Sequence, residues 1–421
     1  MNYIDLFAGA GGLSEGFINN GFKPIAHVEM DRAACFSIKT RVARHYLKSA
    51  GKYDRYLSYL KGEISRSELY SSIPLIELES VINLQIGEEN NEQIHSIIEQ
   101  RLQGNPVDLI IGGPPCQAYS LVGRARSADG MQNDPRNHLY IEYAAYLDKY
   151  QPTMFVFENV LGLKSAKKGF YLESMERLFY KIGYKMRLFT VEANNFGVLQ
   201  NRKRVVIIGW KKDIQLEIPD LEAIDKSGQH VVQDLLSDLP SLKAGSGIDK
   251  YTNYISIATE YLKDAGIRNG INVLTQHVAR PHTEQDKKIY HIAVNKWKNS
   301  KERLNYNDLP DYLKTHNNRT SFHDRFKVVA PDLKYSQTVV AHIAKDGHYY
   351  IHPDIMQNRS ITVREAARLQ SFPDDYYFEG IKEGASRTAA FKQIGNAVPP
   401  LMASIIASQL KNKLLSDQLV L

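Results

Sequence analysis

The chain has 421 residues, 43% of them hydrophobic and 24% charged, with a formal charge of +6. That length suits two or three domains, or one large domain with an insertion. It offers no run of about 18 apolar residues for a membrane span, it opens straight into a buried-strand pattern rather than a signal peptide, and its two cysteines, Cys35 and Cys116, supply neither a disulfide framework nor a zinc site, so the expected setting is reducing and cytoplasmic.

Over the first 210 residues, short apolar or β-branched runs alternate with helix-length segments. The strands expected are Tyr3–Phe7, Pro24–Val28, Asp108–Ile111, Met154–Phe157, Met186–Val191 and Arg204–Gly209. Helices are expected over Leu13–Asn20, Asp31–Lys48, Tyr140–Tyr150 and Gly169–Ile182. This alternation reads as an open α/β sheet whose parallel strands are buried between helix layers. Leu47 to Gln103, rich in Tyr, Ser, Glu and Lys, reads as an insertion of short amphipathic helices with a structural or partner-docking role. From Trp210 to about Val328 the regularity fails, as in a separate irregular domain. Strand-like runs return at Gln337–Ala341 and His348–Ile351, followed by a helix at Thr362–Gln370 with Thr362 as N-cap and Glu365 three residues on. Pro400–Leu415 is the final helix.

The positive charge is concentrated. Between His277 and Lys327 stand eleven Lys and Arg against six Asp and Glu, with five histidines interleaved. Such a mixture suits phosphate contact and base reading; by composition alone a solvated charged face fits equally well.

Two loops carry candidate chemistry. After the first strand comes Ala8-Gly9-Ala10-Gly11-Gly12, where glycine lets the backbone approach a ligand. About 20 residues on, Glu29 follows the second strand, where a carboxylate accepts ribose hydroxyls. A dinucleotide would want a third glycine where Ser14 stands; S-adenosylmethionine has a ribose and an adenine but no phosphate and does not. Met30 is either an adenine-packing residue or an ordinary core methionine. The second loop is Gly112-Gly113-Pro114-Pro115-Cys116-Gln117, in which two prolines stiffen the end of a strand and present a thiol, reactive as thiolate. Cys35, on a helix, reads as core.

These strings, with five more in order, resemble those of the bacterial DNA (cytosine-5)-methyltransferase family of restriction-modification type. The cofactor motif matches Asp5 to Leu13, the acidic ribose motif Glu29, the nucleophile motif Gly113 to Gln117 and Ser120, and the acid motif Glu158-Asn159-Val160. The basic motif matches Gln200-Asn201-Arg202-Lys203-Arg204, the late helix motif Arg364 to Gln370 with Phe372-Pro373, and the last motif Gln393 to Pro399.

The resemblance implies a Rossmann-like S-adenosylmethionine-dependent methyltransferase sheet with helices on both faces, plus a smaller irregular target-recognition domain. Residues 1–212 and 386–421 would form the catalytic domain, with an insertion at about 47–103, and 213–385 the recognition domain and hinge. It implies Cys116 as nucleophile on cytosine C6, Glu158 as acid at N3, and Arg202 and Arg204 beside the target base. S-adenosyl-L-methionine, leaving as S-adenosyl-L-homocysteine, would be lined by Phe7, Gly9, Ala10, Gly12, Glu29, Met30, Pro115, Leu139, Asn396 and Ala397. No metal is expected.

The partner implied is double-stranded DNA, bound by a monomer that flips out its target base, with the loop Gln117–Arg136 closing over that base. A companion restriction endonuclease, no membrane, and residence in the bacterial cytoplasm at the nucleoid complete the expectation. The family's adenine-contacting aspartate has no clear counterpart; Gly62-Glu63-Ile64 and Gln85-Ile86-Gly87-Glu88 both match poorly, and neither is assigned. An RNA cytosine-C5 methyltransferase is the nearest rival. One such class needs a cysteine where Glu158-Asn159-Val160 stands, and another carries a Cys-Phe-Thr string absent from this chain. An amino-methylating enzyme has no use for the thiol, and a silent DNA-binding module would not need Cys116, Glu158 and Arg204 together.

Overall fold

The computed structural model describes residues 1–115, 138–214, 218, 220–224, 230–384 and 386–418. Seven strands form one sheet: β1 (Asn2–Leu6), β2 (Lys23–Val28), β3 (Val81–Ile82), β4 (Leu109–Gly112), β5 (Met154–Asn159), β6 (Tyr184–Glu192) and β7 (Lys203–Lys211). Their order is β3-β2-β1-β4-β5-β7-β6, with β7 antiparallel to both neighbours and the other pairings parallel. Successive side chains of a strand face opposite layers. Ile4, Ile110, Phe155, Phe157, Val205 and Ile207 therefore pack in one apolar layer, while Tyr3, Leu109, Ile111, Val156, Val206 and Ile208 pack in the other. β6, one of the two edge strands, interleaves buried and more exposed positions.

Helix α1 (Gly12–Asn19) leaves the β1 loop, and α2 (Arg32–Ser49) starts where the Asp31 carboxylate accepts the backbone N–H groups of Ala33 and Ala34. The last helix, Pro400–Gln418, returns to the sheet and lies on α1. A Cβ on Gly16 would stand 2.4 Å from the carbonyl carbon of Ala403, so glycine there permits the close approach. Gly16→Ala is expected to lower stability by about 1–3 kcal/mol through overpacking. A thermal midpoint equal to that of the parent chain would show that the two helices do not meet this closely.

Three expectations change. The segment read as one insertion divides in two: short helices at Tyr53–Leu60, Arg66–Ser71 and Leu75–Leu78 are the true insert, whereas β3 and helix Glu88–Leu102 belong to the sheet's regular alternation. Gln337–Ala341 and His348–Ile351 are not ladder strands. The N–H of Val339 is taken by the Gln200 side chain (3.0 Å) and that of Val340 by the Tyr350 hydroxyl (3.0 Å), and Ile351 makes only isolated bridges. Nor does packing break near residue 385: Val329, Val339, Ala366, Phe372 and Phe378 share a cluster with Ala10, Leu199, Ile394 and Ala397. The helix at Val363–Leu369 forms as expected, with Thr362 and Glu365 completing a capping box.

The basic stretch is largely paired. Lys287, Lys296, Lys301, Lys314, Arg325 and Lys327 face carboxylates of Glu284, Glu302, Asp332, Asp311, Asp346 and Asp324 respectively. Arg280 is buried and donates to the carbonyls of Ile343 and Ala344. Much of that charge therefore serves the local fold, around helix Glu284–Ser300 and its cluster of Tyr290, Tyr306 and Phe326.

Candidate active site at the carboxyl edge of the sheet

The carboxyl ends of β1 to β5 converge on one edge, where open α/β sheets receive ligands. At the end of β1, Phe7 holds a left-handed backbone (φ +57°), an uncommon conformation for a side chain of this bulk, and turns the chain into Gly9–Gly12. Nothing stands within 4 Å of a Cβ placed on Gly9, so the loop opens outward there. Gly12 meets the C-terminal segment instead: its Cβ would lie 2.3 Å from the carbonyl oxygen of Val398. Ala10 is buried, and its carbonyl accepts the Tyr376 hydroxyl.

Glu29, at the end of β2, accepts the N–H of Gly9 (2.8 Å) on one oxygen and that of Asp31 (2.7 Å) on the other. Each oxygen retains a second lone pair. Burial raises its pKa, and the two backbone donors oppose that. An anionic acceptor over an open glycine loop suits neutral hydroxyls such as those of a ribose. Met30 beside it is 60% exposed, which removes the core-packing reading.

β3 is followed by Asn83, whose side-chain amide donates to the carbonyls of Glu29 and Met30 (both 3.0 Å). Sequence reading missed this residue because a two-residue strand leaves no periodic signal. Leu139 is half-buried at the start of helix Leu139–Tyr150. Asn396 is exposed and Ala397 buried at the end of helix Arg387–Asn396.

The other half of the edge is built by β4, β5 and β7. Gly113 leaves β4 against Glu158: a Cβ there would stand 2.9 Å from Glu158 Oε2. Asn159 Nδ2 donates to the carbonyl of Pro114 (3.2 Å), while its own Oδ1 accepts the N–H of Val160 (2.9 Å). The proline loop is thus docked on the acid-bearing strand through Pro114, and Pro115 is partly exposed beside it. Cys116 and the loop Gln117–Arg136 lie outside the described residues.

Because β7 runs antiparallel to β5, its first residues reach the same edge, and Arg204 Nε meets Glu158 Oε1 at 2.8 Å. Burial pushes the Glu158 carboxyl upward, against the lowering pull of Arg204 and, less, of Arg202. Arg202 differs from the expectation of a residue beside the base. Its guanidinium is fully buried and donates to the carbonyls of Val339 (2.8 Å), Gly395 (3.2 Å) and Ala397 (2.7 Å). Those bonds hold the start of β7 to the segment carrying Asn396 and Ala397. Among the described residues no cluster of His, Cys, Asp or Glu is arranged for a metal, and no helix is long and apolar enough to cross a membrane.

A sheet in this order, with a glycine loop facing a carboxylate at one end of the edge and a proline loop docked on a carboxylic acid at the other, defines the S-adenosylmethionine-dependent methyltransferase class. The family model of C-5 cytosine-specific DNA methylases matches residues 1–54 and 80–412, passing over most of the short-helix insert. The chain is 42% identical to the type II methyltransferase M.Bpa9945I of Bacillus paralicheniformis, across 98% of this chain and 99% of that protein. It is 29% identical to the type II methyltransferase M.DdeI of Desulfomicrobium norvegicum, across 97% and 88%. In fold it is similar to a protein described as a DNA modification methyltransferase encoded within a prophage (E. coli), at TM-score 0.65 and 24% identity over 99% of both chains. The chain belongs to the C-5 cytosine-specific DNA methylases and is a DNA cytosine-C5 methyltransferase.

Proposed function

We propose that the chain is the modification enzyme of a type II restriction-modification system, acting in the bacterial cytoplasm as a monomer on double-stranded DNA. Its target cytosine is flipped from the duplex into the cleft beside Glu158, at a cost of roughly a few kcal/mol. The Cys116 thiolate adds to C6. Electron density moves toward N3, where Glu158 gives its proton, and C5 gains enamine character. S-adenosyl-L-methionine, held over Phe7–Gly12 by Glu29, Met30, Pro115, Leu139, Asn396 and Ala397, supplies the methyl group and leaves as S-adenosyl-L-homocysteine. The C5 proton then departs to solvent, the thiolate is expelled, and the N3 proton returns to Glu158.

Arg204 orients Glu158 and touches the base, whereas Arg202 is a positioning residue acting through the 395–397 carbonyls. Asn83 takes the place by the adenine for which no aspartate was found. DNA sequence is read within 213–385, by groups of the 277–327 stretch that form no ion pair among the described residues, and the loop Gln117–Arg136 closes over the flipped base.

The observation that carries this reading is the docking of Gly113 and Pro114 on Glu158 and Asn159, which sets the loop leading to Cys116 beside a carboxyl whose pKa burial has raised. The test is transfer of tritiated methyl from S-adenosylmethionine to duplex DNA or to RNA, followed by digestion to nucleosides. Label is expected in 5-methyldeoxycytidine. Label in RNA alone, or on an exocyclic amine, would overturn the proposal.

A further inference from the structure

Directly after Glu158 and Asn159 the chain makes two 3-10 turns, Leu161–Lys164 and Ala166–Gly169, before helix Phe170–Lys181. Leu163 and Ala166 anchor these turns in the apolar layer, at 0% and 1% exposure. Lys164, between those anchors, and Lys167 and Lys168, directly after the second, are exposed. Among the described residues, none of the three is paired with a carboxylate, unlike most of the lysines in the 277–327 stretch. Lys164 Nζ lies 3.3 Å from Thr190 Oγ1, and Lys167 Nζ lies over the exposed Phe170 ring, 5.1 Å from its centroid.

Position and backbone both bear on what these lysines do. Thr190 stands near the end of β6, one residue before the Val191–Arg204 pair of the sheet. Lys164 therefore sits on the β6 side of the sheet, beyond β7 and its Arg204, and Lys167 and Lys168 follow it within four residues. Lys167 and Lys168 also hold successive left-handed conformations (φ +48° and +57°), which L-residues avoid and which persist where the surroundings impose them. A solvated patch kept for solubility has no need of that strain, since glycine or asparagine would make the same turn without it.

We propose that Lys164, Lys167 and Lys168 form a phosphate-binding surface of the catalytic domain, gripping the DNA backbone beside the flipped cytosine. It rests on the functional reading above. Lysines are point charges without the fork that reads base edges, so the contact positions the duplex and carries no sequence information.

The test measures binding of a labelled duplex fragment that the parent chain methylates, between about 50 and about 200 mM salt. The triple variant Lys164→Ala, Lys167→Ala, Lys168→Ala is expected to lose about 2 to 3 from the slope of log K against log salt. Its Kd should rise roughly 10- to 100-fold at the upper end, equally for other sequences, with S-adenosylmethionine affinity unchanged. The double variant Lys167→Gly, Lys168→Gly should gain thermal stability by relieving the left-handed strain while binding DNA more weakly. An unchanged salt slope, or a midpoint that falls together with affinity, would overturn the contact. Failure of the parent chain to label DNA at all would overturn the functional reading instead.

Discussion

Glu158→Gln lowers kcat by about 10²- to 10⁴-fold and leaves S-adenosylmethionine binding unchanged, while Cys116→Ala leaves no measurable methyl transfer. In the proposed mechanism the thiol forms the bond that makes C5 nucleophilic, and alanine has nothing to add to C6. Glutamine keeps the shape of Glu158 and can still donate a hydrogen bond toward N3, so some rate survives, but it cannot deliver a proton. The pH profile separates this role from a merely structural one. Burial raises the Glu158 pKa, against the pull of Arg204 and then Arg202, so its acid form persists to higher pH than an exposed glutamate's. The parent chain should lose rate as pH rises through that raised value, and the glutamine variant should lack this descent because its amide does not titrate. Arg204 lies 2.8 Å from the carboxylate, and Arg204→Ala should move the descent to higher pH by removing the group that favours the anion. A variant within fivefold of the parent (roughly 1 kcal/mol), or one that keeps the descent, would remove Glu158 from the acid role.

The catalytic half of the fold was legible because its strands are long and doubly buried. Leu109–Ile111 and Met154–Phe157 are unbroken apolar runs, Ile4 and Leu6 flank the buried Asp5, and each strand ends in a glycine, proline or acidic string that marks its carboxyl end. The cap at Thr362 was legible for the same local reason. Reading failed where partners are remote in sequence. β3 is two residues long and gains its register only beside β2. Gln337–Val340 looks like a strand, but its hydrogen-bond partners are side chains of Gln200 and Tyr350, which no local pattern announces. Composition left the role of the basic stretch open because pairing is not visible in it, least of all for Lys301 and Arg325, whose partners Asp332 and Asp346 lie beyond it. Arg202 was expected beside the target base, whereas its three carbonyl acceptors come from Val339, Gly395 and Ala397, more than a hundred residues on. Position in the motif placed Arg204 and Glu158 at one edge, and the antiparallel run of β7 against β5 supplies the geometry that brings them together.

Arg368→Met is expected to cost about 3–5 kcal/mol, the largest stability loss of any single substitution considered. The side chain is fully buried and joins the irregular region to the late helix: Nη1 donates to Asp238, Nη2 to Asp374 at 2.6 Å, and Nη1 also to the carbonyl of Leu235 at 2.7 Å. Methionine approximates the volume without the charge and leaves both carboxylates buried without this partner, although Arg268 still reaches Asp238 and Arg364 stands 3.9 Å from Asp374. The pH dependence identifies the cause. Arg368 holds the Asp374 carboxyl below its ordinary value, so in the parent chain this carboxyl contributes stability that is present above the ordinary aspartate range, about 4, and is lost as pH falls below it. In the variant the favourable charge is gone, burial dominates, and the Asp374 pKa rises instead. The variant's deficit should therefore be largest near neutrality and shrink as pH falls through about 4, when protonation relieves the unpaired charge. Asp374→Asn, introduced into the variant, should restore part of the loss by removing that charge at every pH. Chemical denaturation of the parent, the single and the double variant at neutral and acidic pH decides the matter. A deficit that stayed constant with pH, or a double variant no more stable than Arg368→Met alone, would mean that Arg368 matters for its packing and not for its charge.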